Sequence, residues 1–198
     1  MTAAIPNELE LDALREIANV GCGNAATALS RMVGGKRVQI DVPRVLPPRP
    51  DSLLPLVEGE GAVVAAALEI EGGITGQMLL VWPEQDAREL IALMGADVDG
   101  GSDPRHSALA ELANVVCSAC LTGIASLTGL QLQPTPPELL SGTGLEIAEG
   151  VLPAERAERA AVVLEARFHA VHVPPLSGRF FVIPDRAGLS RLMRAIGL

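Results

Sequence analysis

The sequence predicts an α+β fold: a pseudo-two-fold, duplicated domain with a mostly antiparallel sheet and two long helices packed together on one side. Three observations predict it. Two long segments of helical period lie about half a chain apart, each is followed by strand-like runs, and glycine and proline separate those runs. Because the runs form consecutive hairpins, antiparallel pairing with helices gathered on one face is expected.

The two long helices open the two halves of the chain. The first is predicted over Leu9–Val33 and ends at Gly34-Gly35, and the second ends at Gly129. The period of 3.6 residues assigns one apolar face to each helix. The residues predicted to be buried are Leu14, Ile17, Ala18, Gly21, Ala25, Ala28 and Met32 in the first helix and Leu109, Leu112, Ala113, Val116, Cys120, Gly123 and Leu127 in the second.

The shorter elements follow in the same order in each half. In the first half we predict, in order, a strand (Arg37–Val42) ending at Pro43, a loop containing Pro47, Pro48, Pro50 and Pro55, a hairpin (Gly61–Ile70 and Ile74–Trp82) turning at Gly72-Gly73, a helix (Glu84–Met94) and a linker (Gly100–Pro104). In the second half we predict a strand (Gln131–Gln133), a loop containing Pro134, Pro136 and Pro137, a helix (Gly144–Leu152), a hairpin (Ala161–Val173 and Arg179–Ile183) and a last helix (Asp185–Ile196).

One polar pattern occurs in both long helices. Asp12, Glu16 and Asn19 are spaced i, i+4, i+7, and Ser107, Glu111 and Asn114 repeat that spacing. The flanking residues align without a gap from Ala13/Ala108 to Gly34/Gly129, and Pro43 and Pro137 close the two units. At helical spacing these polar residues lie opposite the apolar face. The repeat predicts a single domain over residues 1–198, built from two repeats of about 9–98 and 105–198.

Composition limits the classes of function. The net charge of −9 offers no basic footprint for a nucleic acid. The N-terminus lacks the basic and apolar regions of a secretory leader, and the three cysteines are an odd number, so a reduced cytoplasmic setting is expected. No charge occurs from Leu112 to Pro137, yet the polar residues within this stretch argue against a membrane span.

The repeated Glu and Asn suit one kind of chemistry. Neither residue can form a nucleophilic triad without an activated Ser, Cys or His, and an asparagine amide is not a general base. A carboxamide does donate and accept hydrogen bonds at once, so it can hold a water molecule in a fixed direction of attack, as a glutamine does in phosphoryl transfer. Asparagine is also a poor residue inside a helix, and two exposed copies at one register point to a functional role.

The chain resembles the CheC-type phosphatases of bacterial and archaeal chemotaxis, the CheC/CheX/FliY group. The signature of that family is Asp or Ser, three residues, Glu, two residues, Asn, and then about 22 residues to a Pro. The second copy fits it in full, and the first copy fits with Pro43 one position late. The segment NVGCGNAATALS, which begins at Asn19, also resembles the family's first helix. Two motifs in one chain indicate CheC rather than CheX, which carries one.

The resemblance implies an enzyme that hydrolyses the aspartyl phosphate of a phosphorylated CheY-type response regulator. Glu16 and Asn19 at one site, and Glu111 and Asn114 at the other, would insert into the regulator's active site. Each Asn would orient the attacking water and each Glu would contact a lysine of the regulator, with Asp12 and Ser107 as supporting residues. The protein would need no cofactor of its own, since Mg²⁺ belongs to the regulator.

The same resemblance leaves an alternative open. A non-catalytic adaptor with this fold could bind response regulators or the deamidase CheD. Possession of both intact Glu–Asn pairs favours the phosphatase. We expect a cytoplasmic monomer that binds neither nucleic acid nor membrane. One departure from the family is that alanine, at Ala18 and Ala113, stands where glycine often precedes the Asn.

Cysteine and histidine patterns indicate packing rather than chemistry. Cys117 and Cys120 form a Cys-x-x-Cys pair in mid-helix, where core packing is the better interpretation than a zinc or redox site. His169 and His172 lie three residues apart in a predicted strand, which places them on opposite faces and argues against a shared metal ion.

Overall fold

The computed structural model describes residues 7–49, 53, 61–95, 102–170 and 176–198. It confirms the α+β fold. The helices are α1 (Glu8–Met32), α2 (Glu84–Leu93), α3 (Ser102–Thr128), α4 (Gly144–Val151), α5 (Ala154–Arg159) and α6 (Arg186–Ala195). The strands are β1 (Val38–Ile40), β2 (Arg44–Leu46), β3 (Val63–Gly72), β4 (Gly76–Pro83), β5 (Leu132–Pro134), β6 (Glu138–Gly142), β7 (Val163–Ala170) and β8 (Leu176–Pro184).

All strand pairs of the described sheet are antiparallel, and the two halves exchange their outer strands. The order is β1-β7-β8-β4-β3-β5, with β2 also paired to β7 and β6 also paired to β3. Thus β1 and β2 of the first half add to β7 of the second half, while β5 and β6 of the second half add to β3 of the first. Each half therefore completes the sheet of the other.

The centre of the sheet joins the two halves through β4 and β8. Leu79 lies opposite Phe181 and Leu80 lies opposite Phe180. In the sequence, Trp82-Pro83 of the first half corresponds to Ile183-Pro184 of the second. In the same alignment Leu79 corresponds to Phe180 and Leu80 to Phe181, so each of the two cross-strand pairs corresponds to the other. The register thus has the two-fold relation that the sequence repeat predicts.

The helices cover both faces of the sheet, which corrects the expectation that all of them gather on one side. Buried residues of α1, α2, α3 and α6 share one core with one face of the sheet. Helix α4 packs on the opposite face, where Ile147, Ala148 and Val151 join Leu79 and Phe181 in a second, smaller core. Strands that are covered on both faces carry apolar residues on both, so β3, β4 and β8 contain runs of consecutive apolar residues, at 63–68, 78–82 and 180–183.

The predicted core faces of α1 and α3 are largely confirmed, with one error. Leu127 was expected inside but is 45% exposed in the last turn of α3, because the period alone does not show where along a helix the packing ends. Ala28 and Met32 are only half-buried. Further residues of the two helices are buried in the core although the predicted apolar faces did not include them: Cys22, Leu29, Ala108, Cys117, Leu121 and Ile124.

Several short elements differ from the sequence prediction. The strands β2 and β6 were expected as loop, since each follows prolines and spans few residues, yet each pairs with a long strand of the other half. Helix α5 was not predicted either. The expected linker Gly100–Pro104 is shorter, because α3 already begins at Ser102. The predicted positions Pro50, Pro55 and 171–175 lie outside the described residues.

Candidate functional site

The backbone of α1 is fixed from its first residue. The side chain of Asn7 accepts a hydrogen bond from the backbone N–H of Glu10 at 3.0 Å, and the Glu10 carboxylate accepts one from the backbone N–H of Asn7 at 2.8 Å. This reciprocal capping box satisfies two donors that a helix start otherwise leaves unpaired. The first polar motif begins one turn later, on helix that is already anchored.

Both polar motifs lie on the solvent side of their helices, as the period predicted. Glu16 and Asn19 of α1 are exposed, and so are Glu111 and Asn114 of α3. None of these four side chains makes a hydrogen bond or an ion pair with another described residue. Their polar atoms are therefore available to a second molecule.

The supporting positions differ between the two motifs. The Asp12 carboxylate accepts a hydrogen bond from the Arg15 guanidinium at 2.6 Å. Ser107, its counterpart on α3, is exposed, and Ala110 stands where Arg15 stands in the first copy. The first motif thus carries an additional carboxylate–guanidinium pair, which the second lacks.

The residues beneath the motifs hold each helix against the core. Ala18 and Ala113, which directly precede the two asparagines, are 5% and 0% exposed. Their methyl groups fill core space, so alanine fits the packing at both positions. Pro43 is buried and lines a cavity of about 10 Å³ together with Ala18 and Cys22. The first motif therefore rests on the segment between β1 and β2.

A matched pair of threonines, for which no role was predicted, follows the motifs. The Thr27 hydroxyl donates to the Gly23 carbonyl at 2.9 Å, and the Thr122 hydroxyl donates to the Ser118 carbonyl at 2.8 Å. The two residues occupy equivalent positions of the repeat. Only their matching positions in the repeat could have indicated this from the sequence, because a hydroxyl that bonds to its own helix produces no pattern in the neighbouring residues.

The cysteines pack in the core, which confirms the packing role predicted from the sequence. Cys22, Cys117 and Cys120 are buried free thiols. Burial raises the pKa of Cys22 to about 12, and burial also raises the pKa of Cys117 and of Cys120. Protonated, inaccessible thiols are poor nucleophiles.

No cluster of three or more potential metal ligands occurs within the described ranges. His169 instead lies 3.1 Å from the side chain of Gln39 on the neighbouring strand β1. His172 lies outside the described residues. The separation of the two histidines on the strand therefore stays a prediction.

The segment Pro104–Thr128 of α3 is long and apolar enough to cross a membrane by length and composition alone. In its most apolar window, 56% of the residues are buried inside the protein. Packing against α1 and the sheet accounts for this composition, because a core helix of this kind meets apolar neighbours on most sides.

Comparison with known proteins assigns the chain to a family. Residues 9–46 match the model of the CheC-like family, and residues 64–162 match that of the chemotaxis phosphatase CheX. The CheY-P phosphatase CheC of Bacillus subtilis (strain 168) is 33% identical over 199 residues, which cover 96% of this chain and 95% of that relative. The chain belongs to the CheC-like family of chemotaxis phosphatases. It is accordingly a protein phosphatase.

Solved structures show the same fold. FliY of Thermotoga maritima superposes with a TM-score of 0.71 at 19% identity, covering 98% of each chain. The complex of CheX with CheY, BeF₃ and Mg²⁺ from Borrelia burgdorferi contains a chain that superposes with a TM-score of 0.55 at 14% identity, covering 83% of this chain and 96% of that one. The CheC-like sheet with its two long helices is thus shared among proteins of low sequence identity.

Proposed function

We propose that this protein dephosphorylates a CheY-type response regulator and that its two Glu–Asn pairs carry the reaction. One observation supports this most directly. Each pair is exposed on a helix anchored to the core, and none of the four side chains has a partner among the described residues. Two equivalent polar pairs without internal partners are what docking into another protein's site requires.

The proposed chemistry divides the work between the two proteins. The regulator supplies the aspartyl phosphate and the Mg²⁺ that neutralises its oxygens. Asn19 or Asn114 holds the attacking water through its carbonyl oxygen while its amide group donates to a neighbouring oxygen. Glu16 or Glu111 pairs with a lysine of the regulator and so sets the register of the docked helix. Water attacks phosphorus, the bond from phosphorus to the aspartyl oxygen breaks, and inorganic phosphate leaves.

The helix surface near the pairs suits close approach. Gly23 follows the first pair by one turn, and a Cβ at that position would meet nothing within 4 Å. Ser118 holds the equivalent place in α3 and is also small. Small residues beside an inserted amide let a helix come near the floor of a partner's pocket.

We also propose the wider organisation of the protein. Residues 1–198 would form one domain of two interlocked repeats, and the exchange of outer strands between the halves supports this. The protein would act as a cytoplasmic monomer, with the deamidase CheD as a second partner. The CheY-P phosphatase name of the Bacillus relative and the Borrelia complex support a CheY-type partner.

The deciding experiment follows phosphate release from a phosphorylated CheY-type regulator. The double variant Asn19→Ala/Asn114→Ala should lose the acceleration by about a hundredfold, the scale on which removal of one positioned polar group acts. Asn24→Ala is the matched control. It removes an exposed asparagine of the same helix whose amide donates to the Val20 carbonyl at 2.9 Å, away from the motif face.

The outcomes separate the candidate functions. A double variant as fast as the parent would show that the asparagines do not carry the reaction. A parent that binds the regulator without accelerating phosphate loss would instead be the adaptor. The two single variants, Asn19→Ala and Asn114→Ala, measure what each site contributes.

A further inference from the structure

Two aliphatic side chains are more exposed than any other large apolar side chain in the described part of the chain. Leu9 is 63% exposed and Val42 is 71% exposed. Single exposed leucines are common on soluble proteins and need no explanation. These two, however, both lie beside the first polar motif, and neither lies on a loose segment.

Leu9 belongs to the motif face of α1. It precedes Asp12 by three residues and Glu16 by seven, and both spacings bring side chains to the same side of a helix. The capping box of Asn7 and Glu10 surrounds Leu9 in the sequence and fixes its backbone. The side chain is therefore presented to solvent at the beginning of the stripe that leads to Glu16 and Asn19.

Val42 lies in the segment on which that motif rests. Next to it, Pro43 lines the small cavity shared with Ala18, the residue before Asn19. The backbone N–H of Asp41 donates to the Arg167 carbonyl at 2.9 Å. These contacts hold the backbone of Val42 beside the turn of α1 that carries the asparagine.

The other flank of Val42 is held as firmly. Arg44, two residues on, donates from Nε to the buried carboxylate of Glu165 at 2.6 Å. Val42 is therefore bracketed by a main-chain hydrogen bond on one side and an ion pair on the other. An apolar side chain that is exposed on a fixed backbone loses little conformational entropy when a partner covers it.

The second motif has proline at both equivalent places. The alignment of Asp12 with Ser107 carries Leu9 onto Pro104, and the alignment of Pro43 with Pro137 carries Val42 onto Pro136. Both prolines are exposed. The two sites share their Glu and Asn, but leucine and valine are present only at the first, and the smaller proline rings take their places at the second.

We infer that Leu9 and Val42 form an apolar rim, and that through this rim the first site binds the phosphorylated response regulator more tightly than the second site does. This inference rests on the proposed function. The response regulator is the partner that covers this rim, because insertion of Glu16 and Asn19 into its active-site pocket brings the surface around that pocket onto Leu9 and Val42. Exposed charge pairs contribute little to affinity, whereas covered aliphatic side chains contribute in proportion to their area.

The experiment isolates one site at a time in the full chain. Glu111→Gln/Asn114→Ala leaves the first site intact, and Glu16→Gln/Asn19→Ala leaves the second. Leu9→Ser/Val42→Ser is then added to each, and phosphate release is followed against regulator concentration. The rim substitutions should raise KM about tenfold, with kcat unchanged, when only the first site is intact, and should change neither constant when only the second is.

A control variant removes an exposed leucine elsewhere on the protein. Leu145 is 48% exposed on α4, on the opposite face of the sheet, and Leu145→Ser should leave KM unchanged in both backgrounds. Because Leu9 and Val42 are exposed, the thermal midpoint should move little. An equal rise in KM at both sites, or no rise at the first, overturns the inference.

Failure of the proposed function would be seen separately. If neither single-site protein accelerates phosphate loss, the assigned chemistry is wrong, and the rim is judged by binding alone. A CheY-type regulator charged with beryllofluoride and Mg²⁺ is then titrated into the parent and into Leu9→Ser/Val42→Ser. A Kd raised about tenfold supports the rim, and an unchanged Kd rules it out.

Discussion

Gly21 of α1 lies directly against Cys120 of α3. A Cβ placed on Gly21 would stand 2.9 Å from the Sγ atom of Cys120 and 3.2 Å from Cγ1 of Ile124. The helices that carry the two motifs therefore meet where one of them has no side chain. On the other helix Gly123 has a similar role, since its Cβ would meet the Asn24 side chain and the Val20 carbonyl.

Gly21→Ala should destabilise the protein by about 1–3 kcal/mol, because an added methyl group overpacks a close helix contact. Gly23→Ala is the control two residues away. Nothing lies within 4 Å of its Cβ position, so the gain in helix propensity should stabilise by about 0.5–1 kcal/mol. Urea unfolding of both variants measures the difference, and equal shifts of the same sign would contradict the close contact.

The side chain of Glu165 is only 1% exposed, and its carboxylate forms ion pairs with three arginines. Its oxygens lie 2.6 Å from Arg44, 3.0 Å from Arg179 and 3.5 Å from Arg167. Glu165→Gln keeps the size of the side chain but removes its charge, which should lower the free energy of unfolding by about 3 kcal/mol. This value is at the low end for breaking a buried ion pair, because two of the arginines are partly exposed.

The control for this prediction is the exposed pair of Glu84 and Arg88, whose N···O distance is also 2.6 Å. Glu84→Gln should change stability far less, since solvent screens that pair. Thermal or urea unfolding compares the two. If Glu165→Gln is as mild as Glu84→Gln, the buried carboxylate does not anchor β2.

Alkaline stability should depend on the cysteines. Burial raises the pKa of Cys22 from 9.0 to about 12, so the folded state keeps a proton that the unfolded state releases. This contribution is complete below pH 9 and is lost as the pH rises towards 12. The chain has no tyrosine, and Lys36 is its single lysine, so few other groups titrate there.

The measurement is the free energy of unfolding at pH 8 and at pH 10.5. The parent should lose more stability over this interval than a variant with Cys22, Cys117 and Cys120 all changed to alanine. Parallel pH profiles would contradict the prediction. Thiol-specific labelling of the parent at pH 8 should also be slow until a denaturant is added.

Helix capping should matter to the first site in particular. Asn7→Ala removes the capping box of α1 and should cost about 1 kcal/mol. Thr143→Ala removes the matching capping box of α4 with Glu146, far from either motif, at a similar cost. Only Asn7→Ala should slow phosphate release when the first site alone is intact, and an equal effect of both variants would show that lost stability is the cause.

Much of the fold could be predicted because the signals are local. The helical period placed α1 within a residue of its bounds, and the predicted starts at Glu84 and Asp185 lie within a residue of the starts of α2 and α6. The positive φ angles of Gly34, Gly35 and Gly129 end the long helices, as expected. The short strands β2 and β6 escaped prediction, because three to five residues beside prolines become strand only when a long partner strand is available.

The candidate site likewise combines features that local sequence patterns predicted with features that only the tertiary structure decided. Sequence alone placed Glu16, Asn19, Glu111 and Asn114 on the solvent faces of two helices, because a period of 3.6 residues and a repeat are properties of the chain itself. Only the tertiary structure decided that Val42 stands beside the first motif, that Glu165 is buried among arginines and that each half completes the other's sheet. These depend on contacts between residues far apart in sequence, and such contacts leave no period along the chain.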